Sequence, residues 1–138
     1  MRRGTVMVGF TFGSIDPLFM KSLMAVKDYD WRFGKSNPRL QHKWWLCMVG
    51  TSNIASGRNS VVLEFLKSEC EWLWFIDTDQ TFQASILEQL LESADPVERP
   101  ILSGTVIAKR PEKSPPYAPA CVLLNDKDVL CAPSYIPD

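Results

Sequence analysis

Two acidic side chains, Asp77 and Asp79, lie one residue apart directly after an apolar run, Trp72 to Ile76. The run is typical of a buried strand, and open α/β sheets bind ligands at the carboxyl ends of their strands. Two carboxylates this close repel each other unless a cation or a hydroxyl-bearing ligand uses them. Because Mg²⁺ and Mn²⁺ take one or two carboxylates plus substrate phosphates, the pair predicts a divalent-metal site. The alternative is a solvated turn in which one acid caps the next helix.

Strands and helices alternate in the part of the chain that must position these acids. The predicted strands are 5–9, 44–50, 72–76 and 100–108, and the predicted helices begin at Pro17, Arg58 and Ser85. Such a β-α-β-α-β-α-β order favours a mostly parallel sheet with helices on both faces. Residues 27 to 43 lose the helical spacing of apolar residues and are predicted to be a long loop.

Length and charge narrow the class of protein. With 138 residues, 46% of them apolar and 22% charged, the chain fits one soluble globular domain. The net charge of −1 disfavours a nucleic-acid binder that works by neutralising phosphates. The sequence has no apolar stretch of the roughly 18 to 20 residues that a membrane span needs, and no signal peptide is expected.

The cysteines do not suggest a zinc site. Four are present, without a Cys-x-x-Cys pair and with His42 as the single histidine, whereas structural zinc needs four such ligands at short spacings. Reduced thiols in a cytoplasmic protein are therefore predicted, and His42 is predicted to be a surface residue. The cysteines are Cys47, Cys70, Cys121 and Cys131.

A set of motifs, taken together, resembles the GT-A glycosyltransferases, specifically the small family-2-like enzymes frequent in bacteriophage genomes. The motifs are Arg58-Asn59 opening a helix, Glu71 to Asp79 with its Asp-x-Asp pair, Phe82 with the helix Leu87 to Leu91, and Pro100 to Gly104. They occur in the expected order over roughly residues 5 to 110. The resemblance implies a GT-A-like, Rossmann-like fold and a metal-dependent transfer of sugar from a nucleotide-diphosphate sugar.

The resemblance also implies roles for individual residues. In such enzymes the first acid, here Asp77, contacts the nucleotide ribose or the sugar. The second, here Asp79, binds the Mn²⁺ or Mg²⁺ ion that bridges the diphosphate of a UDP- or GDP-sugar. The corner Arg58-Asn59 would lie near the diphosphate or donor sugar. The loop after the first strand would hold the base, through Phe10, Thr11, Phe12 and Gly13.

Structural explanations for the same residues stay open. Gly13 could be an ordinary turn glycine, Arg58 could pair with Glu64 or with solvent, and Asn59 could cap its helix.

The resemblance divides the chain by function into a donor-binding region, residues 1–109, and the Pro-rich start of an acceptor region, residues 110–138. A full GT-A domain continues further, so the acceptor part is expected to be truncated here and completed by missing residues, a second copy or a complementing chain. No catalytic base is assigned; Asp126 and Asp128 are unanchored candidates. The acceptor, the sugar and the stereochemical outcome stay open, and the location would be the cytoplasm, of a host cell if the protein is phage-encoded.

Other classes compete with this interpretation. Phe75 to Thr81 matches the DxDxT signature of haloacid-dehalogenase-like phosphatases, with Asp77 as nucleophile and Asp79 as general acid. That motif normally follows the first strand, which disfavours it here. A nucleotidyltransferase would carry a basic residue in its Gly-rich loop, and the segment Gly9 to Gly13 has none. A non-catalytic half-domain could bind a nucleotide sugar without turnover. The basic and aromatic segment 31–45 could contact nucleic acid, although Trp44 and Trp45 are expected to enter the core.

Overall fold

The computed structural model describes residues 4–34, 38–102, 107–109, 117–119, 123–124 and 130–131. The chain divides into two compact units, Met1–Ser93 and Ala94–Asp138. No helix in the described part of the chain is long and apolar enough to cross a membrane. The functional division at residue 109 stays a prediction.

The first unit is a three-stranded parallel sheet with three helices, as the alternating pattern predicted. Its strand order is β2-β1-β3, with β1 hydrogen-bonded to both neighbours. The elements are β1 (Val6–Phe12), α1 (Pro17–Phe33), β2 (Leu46–Gly50), α2 (Ile54–Lys67), β3 (Trp72–Phe75) and α3 (Ile86–Ser93).

The helices cover both faces of this sheet. Since β2 and β3 lie on opposite sides of β1, right-handed crossovers place consecutive helices on opposite faces. The packing agrees, because Val6, Val8 and Phe10 belong to the same buried cluster as residues of α1 and α3. On the other face, a Cβ at Gly9 would collide with Val61 of α2. A doubly wound α/β arrangement follows.

Aromatic rings fill the α1 and α3 face of the core. The ring of Phe19 lies edge-on to Phe10, with centroids 5.0 Å apart, and also to Phe82 at 6.1 Å. Phe82 contacts Trp74 at 5.2 Å as well. Edge-to-face pairs add to the stabilisation from burial, so Phe82 anchors the segment between β3 and α3 to the core.

Helix α1 is longer than predicted, because it continues to Phe33 through residues expected to form a loop. The reason is Asp30, which takes the next position on the buried face of the helix. Its carboxylate accepts the backbone N–H groups of Arg39 at 3.0 Å and Leu40 at 2.9 Å. Because Asp30 faces the interior but is not apolar, it interrupts the helical spacing of apolar residues. The end of the helix therefore cannot be recognised from that spacing.

Of the predicted fourth parallel strand, 100–108, residues 107–108 do lie in a strand, but that strand pairs antiparallel, and residues 100–102 are not in a strand. The second unit has β4 (Ile107–Lys109) paired antiparallel with β5 (Tyr117–Pro119), and β6 (Leu123–Leu124) paired antiparallel with β7 (Leu130–Cys131). A parallel partner needs a crossover of a dozen or more residues, whereas an antiparallel partner needs only a turn. The local partner is the one that β4 adopts.

His42, predicted to be a surface residue, is half-buried. Its Nε2 lies 3.1 Å from the Val6 carbonyl oxygen, and its Nδ1 accepts the backbone N–H of Trp44 at 3.3 Å. Of the two tryptophans expected to enter the core, Trp45 packs against the buried cluster, under the Nζ of Lys27 at 3.7 Å from its ring centroid. Trp44 is half-buried and is not among the side chains packed against that cluster. The contacts of His42 give its imidazole ring a structural role at the amino end of β1.

Candidate functional site

The candidate site lies at the carboxyl edge of the parallel sheet, where the strand order changes direction. The chain leaves β1 toward β2 on one side and later returns to place β3 on the other. In doubly wound sheets of this order, ligands bind outside the carboxyl ends of the strands at that switch point, between β1 and β3. Gly13 follows β1 and Asp77 follows β3 closely, so these two residues border this position.

Asp77 forms an ion pair with Arg58, which lies on helix α2. The Arg58 Nη2, on α2, donates to the Asp77 Oδ1 at 3.0 Å, and both side chains remain about half exposed, at 50% and 55%. The guanidinium carbon also lies 5.8 Å from the ring centroid of Phe75 on β3. The structure therefore unites two predicted site residues that are 19 positions apart in sequence. Arg58 therefore does not pair with Glu64, the partner considered for it, because it pairs with Asp77 instead. Glu64 pairs with Lys67.

The loops after β1 and β3 are tied to each other at two points. The Thr78 hydroxyl donates to the Ser14 carbonyl oxygen at 3.1 Å, and the Asp16 N–H donates to the Thr78 carbonyl oxygen at 3.3 Å. Asp16 in turn caps α1 by accepting the Leu18 N–H at 2.7 Å. Thr78 thus fixes the spacing of the two loops that border the switch point. Sequence analysis missed this role, because a threonine between two acids carries no pattern of its own.

Helix α2 starts earlier than predicted, at Ile54 rather than at Arg58. Asn53 is its cap, accepting the Ser56 N–H at 3.0 Å, and Asn59 lies on an exposed position inside the helix. The capping role considered for Asn59 therefore belongs to Asn53. Arg58 occupies the second turn, from which its long side chain reaches the end of β3.

Gly57 lets α2 approach the sheet edge closely. A Cβ there would lie 2.7 Å from the Thr11 Cγ2 and would also collide with Thr51. Real Cβ contacts are essentially never that short, so only glycine fits without a shift of the helix. Sequence analysis missed this role, because the helix was predicted to begin only at Arg58, which left Gly57 outside it.

The residues predicted to hold a base are mostly strand residues. Phe10, Thr11 and Phe12 lie within β1, and Gly13 alone follows it. Phe10 is fully buried against Phe19, so its ring is not placed to stack on a ligand at the edge. Thr11 and Phe12 are half-buried, and Gly13 is exposed with open space around a would-be Cβ.

The two acids do not form a metal cage by themselves. Within the described residues there is no group of three or more His, Cys, Asp or Glu side chains that could hold a metal ion. Asp79 is exposed and takes part in none of the ion pairs found in that part of the chain. Any ion here would need further ligands from its substrate. Asp126 and Asp128 lie outside the described residues.

The thiols of Cys47 and Cys70 are free. Burial, and secondarily the negative charge of Glu64, raises the pKa of the Cys47 thiol. A raised pKa keeps a thiol protonated and unreactive, which argues against a nucleophilic role for Cys47.

Comparisons with known proteins add no relatives. No protein-family model matches the sequence, and neither a curated protein nor a solved structure matches it.

Proposed function

We propose that this chain binds a nucleotide-diphosphate sugar at the carboxyl edge of its sheet and acts as a metal-dependent glycosyltransferase, or as the donor-binding half of one. The observation that carries the proposal is the Arg58–Asp77 ion pair after β3, beside the β1–β3 switch point and two residues before the exposed Asp79. Carboxylates for a cation and a guanidinium for phosphate are the groups that a metal-bound diphosphate requires.

The carboxylates of Asp77 and Asp79 fit a cation only if the substrate supplies further ligands. Mg²⁺ typically takes one or two carboxylates and completes its coordination with phosphate oxygens and water, and Asp77 and Asp79 offer no more than that. Such an ion would supply charge stabilisation to the departing diphosphate. Arg58 would add a second positive group toward the same oxygens, in a form that favours bidentate contact.

The remaining residues of the edge would position the nucleotide. Thr78 holds the loop after β1 to the loop after β3, so a ligand seated between them meets a fixed gap. Gly13 leaves open space at the end of β1, where a planar base could approach the backbone.

Calorimetric titration of UDP and GDP, with and without Mn²⁺, tests the donor site. We expect metal-dependent binding in the wild type, and its loss by a factor of ten or more in Asp79→Asn, since one of the two carboxylate ligands is removed. Glu92→Gln, at an exposed position on α3, is the matched control and should bind like the wild type. Equal affinity in the Asp79 variant would remove the acid pair from the proposal.

Turnover assays separate the related classes. Hydrolysis or transfer of a UDP- or GDP-sugar supports an enzyme, and binding without turnover supports a donor-binding half-domain. If the protein instead hydrolyses a simple phosphate monoester, and Asp77→Asn abolishes that hydrolysis, the acid pair serves a phosphatase and the glycosyltransferase proposal is wrong.

A further inference from the structure

We draw no further inference here: the strongest candidate, the exposed apolar surface patch that helix α2 presents through Val62, Leu63 and Leu66, carries none, because nothing in the described part of the chain shows what covers it.

Discussion

At the scale of single residues, buried polar groups contribute more than the exposed acids do to how the elements pack together. Asp30 is buried on α1 and satisfies two backbone N–H groups of the segment that leads to β2. Arg39 is also buried and donates from Nη1 to the Glu88 Oε2 on α3 at 2.7 Å, while its Nε has no partner in the structure. Such groups are costly to orphan, so these contacts specify how α1, α3 and the connecting segment meet.

Asp30→Ala should destabilise the protein strongly. The substitution leaves the N–H groups of Arg39 and Leu40 buried without an acceptor, at a cost of about 2–4 kcal/mol in the free energy of unfolding. Urea unfolding followed by circular dichroism measures the change. Asp28→Ala removes only an exposed ion pair with Arg32 on the same helix and should cost below about 0.5 kcal/mol. Equal losses in both variants would contradict the assigned role of Asp30.

The Cys47 thiol should ionise at higher pH in the folded protein than in the unfolded chain. Burial is the larger cause and the charge of Glu64 the smaller one. The rate of alkylation by iodoacetamide, followed by mass spectrometry as pH rises, should therefore have its midpoint above that of the urea-unfolded protein. Glu64→Gln should lower the folded midpoint slightly. Because the folded pKa is the higher one, the stability linked to this thiol is complete below the unfolded pKa and is lost as pH rises through the folded pKa.

At the scale of elements, glycines set the distance between α2 and the sheet. Gly9 on β1 faces Val61, and Gly57 on α2 faces Thr11 and Thr51. These two contacts lie on the face of the sheet opposite α1 and α3. Because α2 carries Arg58, the close approach also determines whether that side chain can reach Asp77.

Gly9→Ala should destabilise the protein by about 1–3 kcal/mol, since the added methyl group overlaps Val61. The double variant Gly9→Ala with Val61→Ala should lose less than the sum of the two single changes, because the smaller side chain makes room. Thermal unfolding of the three variants measures the coupling. Gly13→Ala meets open space and should leave the melting temperature nearly unchanged; strictly additive effects of the Gly9 and Val61 changes would refute the contact.

At the scale of the whole molecule, the buried hydrophobic cluster found among the described residues lies in the first unit. Every member of the buried cluster, from Val6 on β1 to Leu87 on α3, precedes the boundary after Ser93. In the described part of the second unit, each strand pairs with its neighbour along the chain: β4 with β5, and β6 with β7. Burial of apolar surface is the dominant favourable term in folding, so the first unit has the means to fold by itself.

A fragment of residues 1–93 should therefore unfold cooperatively in urea, with a transition visible by both circular dichroism and tryptophan fluorescence. A fragment of residues 1–80 lacks Phe82 and Leu87, which pack into the core from beyond β3, and should show no such transition. If both fragments are unfolded, the core of the first unit depends on residues after Ser93.

The sequence by itself determined most of the local elements and the position of the two acids after β3. Apolar runs and helical spacing predicted three strands and three helices of the first unit, because burial imposes a period on each element. Position after an apolar run placed Asp77 at the carboxyl edge of the sheet, although the four residues of β3 are half-buried rather than buried as predicted. The glycosyltransferase assignment and its metal stay predictions, as do the roles given to Asp79 and the residues after β1.

Tertiary structure alone decided which distant residues meet. The Arg58–Asp77 pair, the Thr78 contact with Ser14, and the order β2-β1-β3 all join residues far apart in sequence. The same holds for the last turns of α1, where Asp30 continues the buried face with a carboxylate. Periodicity reports how each residue faces the interior but not which partner it finds there. Partner choice depends on packing and on hydrogen-bond satisfaction between elements.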